Sequence, residues 1–176
     1  PEEMMNDLIS IDVDDSLNLP DMFLIRLRDA NLRWTNSDTL DLGKMVEISV
    51  KTRQGVVKLM DGEITAIEPE LSHTLGPNVL IRGYDLSHRL HRDRKTSTFL
   101  NQTDSDMASK IARDSGLGVQ VDPSREVYRH VIQRNQTDWE FLWERARRIG
   151  YRVYVESRTL YFRRAPAPSQ IPRLEW

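Results

Sequence analysis

Two stretches of this chain repeat each other. Residues 101–122 read NQTDSDMASKIARDSGLGVQVD and residues 135–156 read NQTDWEFLWERARRIGYRVYVE, an offset of 34 residues without a gap. Nine of the 22 aligned positions are identical: the four of NQTD, then Ala112/Ala146, Arg113/Arg147, Gly116/Gly150, Val119/Val153 and Val121/Val155. Self-similarity of this kind reports a supersecondary unit used twice. Thr103 and Thr137 are placed as helix N-caps, because a hydroxyl there accepts an orphan backbone N–H of the first turn. Three residues on stand Asp106 and Glu140. Thr137 with Glu140 spells a full capping box, while the shorter Asp106 predicts a weaker one. Asp104 and Asp138 add negative charge where the helix dipole favours it.

Apolar residues then recur at helical spacing: Met107, Ala108, Ile111 and Ala112 in one copy; Trp139, Leu142, Trp143, Ala146 and Ile149 in the other. Gly116 and Gly150 follow as residues able to close a helix at positive φ. Val119 and Val121, like Val153 and Val155, alternate as in half-buried strands. The unit is therefore cap, helix, glycine, strand. A tetratricopeptide array shares the 34-residue period but needs two helices per repeat, so a compact α+β module is expected.

Upstream, the apolar pattern switches to period two. Residues 8–15, 22–28, 45–52, 56–68 and 79–85 read as strands. Residues 29–44 form a polar loop holding Trp34, Gln54-Gly55 forms a hairpin turn, and Asp61-Gly62 marks a bulge or bend. Five antiparallel strands in so short a segment predict a small barrel or sandwich, whose closure removes exposed edges. The expected fold class is α+β, mainly β. An antiparallel β-barrel occupies residues 1–90, a basic connector 91–97, the α+β module 98–165, and a Pro-rich linker 166–176. A strand at 127–133 lies between the copies, and Tyr151–Val155, Ser157-Arg158 and Leu160–Phe162 form a hairpin.

Charge is split. Residues 1–80 hold 15 acidic and 7 basic residues, net −8; residues 81–176 hold 12 acidic and 18 basic, net +6. Opposite faces that meet different partners explain this better than nucleic acid does, because the run Arg89–Lys95 lacks neighbouring stacking aromatics. The absence of Cys excludes disulfides and thiolate chemistry. No apolar run reaches membrane-spanning length, and no signal peptide opens the sequence. A chain that opens on Pro1 is expected to be a piece of a longer protein. No pair among His73, His88, His91 and His130 has the i, i+4 spacing of a helical zinc site. No phosphate loop or nucleophile elbow occurs. Neither a catalytic residue, a cofactor site nor a metal site is expected. The residues singled out are the structural caps Thr103, Asp106, Gly116, Thr137, Glu140 and Gly150, with Trp34, Trp139 and Trp143 as candidate interface residues.

Several separate motifs carry a family resemblance: LMDGEITAIEPELS (59–72), VLIRGYDLSHRL (79–90), TFLNQTDSDMASKIARDSGL (98–117), VIQRNQTDWEFLWERARRIGYRVYV (131–155) and LYF (160–162). Together they resemble the phage late-control D family, the VgrG-like hub proteins of contractile tails and injection systems. The resemblance implies a non-enzymatic structural hub, homotrimeric in its full-length form, with two barrels per subunit. Such a hub adapts a sixfold tube to a threefold spike. Its implied partners are itself, the tube protein, and spike, needle and baseplate proteins, with assembly in the bacterial cytoplasm into a tail or injection particle. Only one barrel is legible here, and the second is expected beyond the linker. Two rival readings are a LysM-like peptidoglycan-binding module, from SDMASKIARDSGL, and a cell-wall hydrolase with Glu63 or Glu68 as acid.

Overall fold

The computed structural model describes residues 2–16, 19–72 and 76–166. The chain divides into two units, residues 1–88 and 89–176, and each is described by itself. Among the described residues no helix is long and apolar enough to cross a membrane. His73 and nearly all of the expected Pro-rich linker, from residue 167 on, lie outside the described residues.

The first unit opens with a short helix, α1 (Glu2–Asp7), which the sequence pattern did not disclose. It continues as strands β1 (Leu8–Asp14), β2 (Met22–Arg28), β3 (Met45–Thr52), β4 (Gly55–Ser72) and β5 (Gly76–Tyr84). The strands form one antiparallel sheet in the order β1-β2-β5-β4-β3. The mainly β, α+β class is thus as expected, but the sheet is a curled half-barrel. Its end strands β1 and β3 are not paired to each other.

The curl originates in β4. Its first half pairs with β3 and its second with β5, and Glu63 lies at the changeover, opposite both Met45 and Tyr84. Each ladder contains one extra β4 residue, Leu59 against β3 and Thr65 against β5. Such bulges bend a strand and increase its twist. The expected bulge at Asp61-Gly62 is therefore displaced to either side. Gly62 itself is in register, and its role is close approach: a Cβ there would lie 2.5 Å from the Tyr84 carbonyl oxygen. Gly83, paired with both Phe23 and Ile64, leaves room for the Phe23 ring, which a Cβ would meet at 2.2 Å. Around Phe23 the core gathers Ile25, Leu27, Trp34, Leu40, Ile48, Met60, Ile64, Val79 and Ile81. Burying each large apolar side chain contributes about 1.5–3 kcal/mol.

The polar loop 29–44 is ordered by one buried carboxylate. Asp29 accepts hydrogen bonds from the Trp34 N–H (2.6 Å), the Thr35 N–H (3.1 Å) and the Thr35 hydroxyl. Trp34 is only 6% exposed, and its indole N–H donates to Asp7 of α1 at 2.9 Å. Trp34, expected as a candidate interface residue, lies in the core cluster of this unit.

The second unit comprises β6 (Lys95–Gln102), α2 (Asp104–Asp114), β7 (Gly118–Val121), β8 (Tyr128–Gln136), α3 (Asp138–Arg148), β9 (Tyr151–Glu156) and β10 (Thr159–Arg164). Two strands separate α2 from α3, so the strand-helix-helix-strand order of LysM is not present. β6 begins inside the stretch read as an exposed connector. It pairs antiparallel with β8, and the register sets Ser97 against Gln133, Thr98 against Ile132 and Phe99 against Val131. Thr98 and Ile132 are themselves 34 residues apart. The two copies are thus related by a local twofold through that pair, and the repeat unit is strand, cap, helix, glycine, strand. β10 breaks the symmetry, lying between β7 (parallel) and β9 (antiparallel). Leu160 and Phe162 on its inner face join Phe99, Met107, Ala108, Ile111, Leu117, Phe141, Leu142 and Ala146 among the buried side chains.

Both N-caps have the same geometry. The Asp106 and Glu140 N–H groups donate to the Thr103 and Thr137 hydroxyls at 3.1 Å, and the return bonds to the carboxylates are 3.0 and 3.1 Å. The Asp106 box is as complete as the Glu140 one. Bonds from the Thr103 N–H and then its hydroxyl hold the Asp106 carboxyl below its ordinary pKa. Asn101 and Asn135, each next to last in its strand and two residues before the cap, take φ of 51° and 46°. Asparagine tolerates this left-handed region better than most residues.

The α3 stripe also differs from expectation. Phe141, Leu142, Arg145 and Ala146 face inward, while Trp143 is 43% exposed beneath the Arg147 guanidinium. Arg145 occupies the place of Ile111 in the other copy, and its Nε donates to the buried Asp104 carboxylate at 2.5 Å. Removing one partner of such a pair strands a buried charge.

Three substitutions test this account. Thr137→Ala and Thr103→Ala should each destabilise by about 1 kcal/mol, as lost N-caps do; equal losses would reflect the matched bond lengths, and melting curves identical to the parent would refute the capping role. Gly150 has φ of 70° with open space around it. Gly150→Ala should therefore cost about 1 kcal/mol from backbone strain alone, and a neutral result in chemical denaturation would contradict the assigned conformation.

Candidate functional site

The acidic groups named as possible catalysts are held by neighbours of opposite character. Glu63 is buried at the β4 changeover, its Oε2 3.9 Å from His88 Nε2. His88 Nδ1 lies 2.6 Å from the Asp85 carbonyl oxygen. Glu68 pairs with Arg82 at 3.5 Å on the adjacent strand. Among the described residues no group of three or more His, Asp or Glu side chains could hold a metal ion.

The cap residues lie at the ends of their helices and do not converge on one site. The basic stretch before β6 is attached to them. Arg89 Nη1 donates to the Ser115 carbonyl at the end of α2 (3.2 Å). Arg94 donates to the Asn135 carbonyl (2.7 Å) and to Glu140 (2.5 Å), and Lys95 pairs with Asp138 (2.8 Å). Cations at a helix C-terminus and beside the acids of an N-terminus are both favourable placements. Trp139 is half-buried and stacked on His91 with ring centroids 5.0 Å apart. Trp143 alone of the three candidate tryptophans presents a substantial exposed surface.

A further surface was not foreseen. On the outer face of the β7-β10-β9 sheet the register aligns Gln120, Tyr161 and Tyr154 in one row and sets Arg163 opposite Arg152 in the next. The tyrosine rings stack at 4.8 Å and 4°, and the Arg163 guanidinium lies 4.8 Å from the centre of the Tyr161 ring. Arg163 also donates to the Gln120 side chain. Tyrosine and arginine are the residue types most enriched at the energetic centres of interfaces. The sequence signal was the alternation in RVYVE and TLYFRR, read only for its inward residues.

One end of the first sheet concentrates negative charge. Burial pushes the Asp85 carboxyl up to about 6, against a partial lowering by the Ser87 hydroxyl and with a further rise from nearby Asp21. Burial, chiefly, raises Asp21 as well. A carboxyl that is harder to ionise folded than unfolded favours the folded state when protonated. Between about 4 and about 6 the unfolded chain loses this proton and the folded one keeps it, so stability falls as pH rises through that window. Asp85→Asn, whose carbonyl can still accept from Ser87, should raise the melting temperature at pH 7.5. The gain should vanish near pH 4, and a pH-independent effect would contradict the assignment.

Comparison with solved structures shows the fold. The chain superposes on a 43 kDa tail protein of prophage MuSo2 from Shewanella oneidensis with a TM-score of 0.63 and 16% identity, over 86% of this chain and 47% of that one. An E. coli type VI secretion system component, itself described as structurally similar to the T4 bacteriophage tail proteins gp27 and gp5, gives 0.63 and 17%, over 94% and 49%. A tail protein from Neisseria meningitidis MC58 gives 0.59 and 21%, over 86% and 44%. The chain thus spans about half the length of the solved structures it matches. No curated protein matches the sequence. The family model that the sequence does match, over residues 4–174, is described as the Alg8 N-terminal domain and not as the late-control D family named from the motifs. This chain belongs to the Alg8 N-terminal domain family.

Proposed function

We propose that this chain is a structural part of the baseplate hub of a contractile tail or injection system. The observation that carries this reading is the fold: a curled antiparallel half-barrel followed by a twofold α+β module, shared with tail and secretion-system proteins. The motif resemblance to late-control D and VgrG-like proteins points the same way and supplies the finer reading. In that reading the full-length protein is a homotrimer that joins a sixfold tube to a threefold spike, assembled in the bacterial cytoplasm into the particle. Closed symmetry sets the size of such a hub, and obligate interfaces of this kind bury upwards of about 2,000 Å². The open edges of β1 and β3 and the unequal charge of the two halves suit a protein that works among neighbours.

The test is reconstitution of the full-length protein with its tube protein. Light scattering should give three copies per hub, and tube docking should weaken as salt screens the charged faces. A monomeric full-length protein, or a tube that assembles equally well without it, would overturn the proposal.

A further inference from the structure

We infer that the tyrosine–arginine face of the second unit is a self-assembly surface, and that it receives the acidic β1 edge of another copy of the chain. The inference rests on the self-assembling hub proposed above and names the residues that would carry it.

The receiving face is flat and built. Tyr154, Tyr161 and Arg163 stack in sequence, Gln120 fixes Arg163 from the side, and Arg152 extends the cationic row. The aromatic stack is already ordered, so docking on it costs little side-chain freedom. Its charge calls for carboxylates, and its rings call for aliphatic side chains between them.

β1 offers carboxylates on one face and aliphatic side chains on the other, both reachable along its edge. It is an end strand of its sheet, and such strands carry a free row of backbone donors and acceptors. Ile9, Ile11 and Val13 are 49%, 40% and 36% exposed. Asp12 and Asp14 alternate with Ile11 and Val13 and are exposed on the other face of the strand, and Asp15 is exposed just past its end. The carboxylates repel a second β1, which guards against indiscriminate edge pairing, and they attract an arginine face. The balance of the whole chain agrees: residues 1–80 carry 7 − 15 = −8 and residues 81–176 carry 18 − 12 = +6. Head-to-tail use of two different surfaces closes into a ring where the rotation permits.

The experiment is a charge swap in the full-length protein, read by light scattering across a dilution series with thermal melts as a folding control. Arg152→Glu with Arg163→Glu should raise the concentration needed for assembly at least tenfold. Adding Asp12→Arg and Asp14→Arg to the same chain should restore it. Should the double reversal fail to fold, Arg152→Gln with Arg163→Gln serves instead, with the expected loss of salt sensitivity as the readout. Assembly unaffected by the reversal would overturn this inference and leave the hub reading standing. A change in melting temperature without a change in mass would overturn it too, by placing the effect inside one copy. A parent protein that is monomeric at every concentration would end both.

Discussion

The first unit depends on how closely three backbones meet at Gly83. Phe23 and Ile64 flank it in register, and the Phe23 ring occupies the volume that any side chain at Gly83 would need. That contact lets the longest strand turn: β4 leaves β3, passes Glu63 and joins β5, with an inserted residue on each side of the turn. The curl follows from the turn, and the core follows from the curl, since Phe23, Ile25, Leu27, Ile64, Val79 and Ile81 are brought together on its inside. A flat sheet of these strands would leave that face uncovered. The open edges are a consequence of the same geometry, because five strands curled by one corner do not meet.

In the second unit the corresponding constraint is the antiparallel pairing of β6 with β8 about Thr98 and Ile132. Once a strand pairs with its own repeat equivalent, each helix is carried to the other copy. Asp104 at the start of α2 then meets Arg145 of α3, and Asp138 at the start of α3 meets Lys95 before α2. The acids placed by the helix dipole become the ties between copies. The buried pair costs desolvation that its attraction offsets only with good geometry, and here the Arg145 Nε donates directly to Asp104 Oδ1.

The outward residues of β9 and β10 form the face on which the proposed self-assembly rests. β10 breaks the internal twofold by entering between β7 and β9, and in doing so it sets Tyr161 beside Tyr154 and Arg163 opposite Arg152. The face that results joins Gln120 of one repeat copy and Arg152 and Tyr154 of the other to Tyr161 and Arg163 of β10.

The sequence by itself determined the local chemistry of the elements. Thr103 and Thr137 stop strands and start helices because their hydroxyls satisfy the first-turn N–H groups, and Gly116 and Gly150 end those helices because they accept φ near 70°. Period-two alternation located β1, β2, β3 and β5 to within a few residues, since one face of each is wet or half-wet. Tertiary structure decided what local pattern cannot encode. Apolar alternation reports a buried face but not how far the sheet curls. Helical spacing allowed Trp139 and Trp143 inside, but the face of α3 that carries Phe141, Leu142, Arg145 and Ala146 is the buried one. Arg89, Arg94 and Lys95 looked like a solvated run because their partners stand 26 to 46 residues away. The repeat was visible only from Asn101 and Asn135 onward, where caps constrain residue type. Upstream, β6 and β8 share backbone pairing but different side chains, and hydrogen bonds between peptide groups leave no trace in sequence.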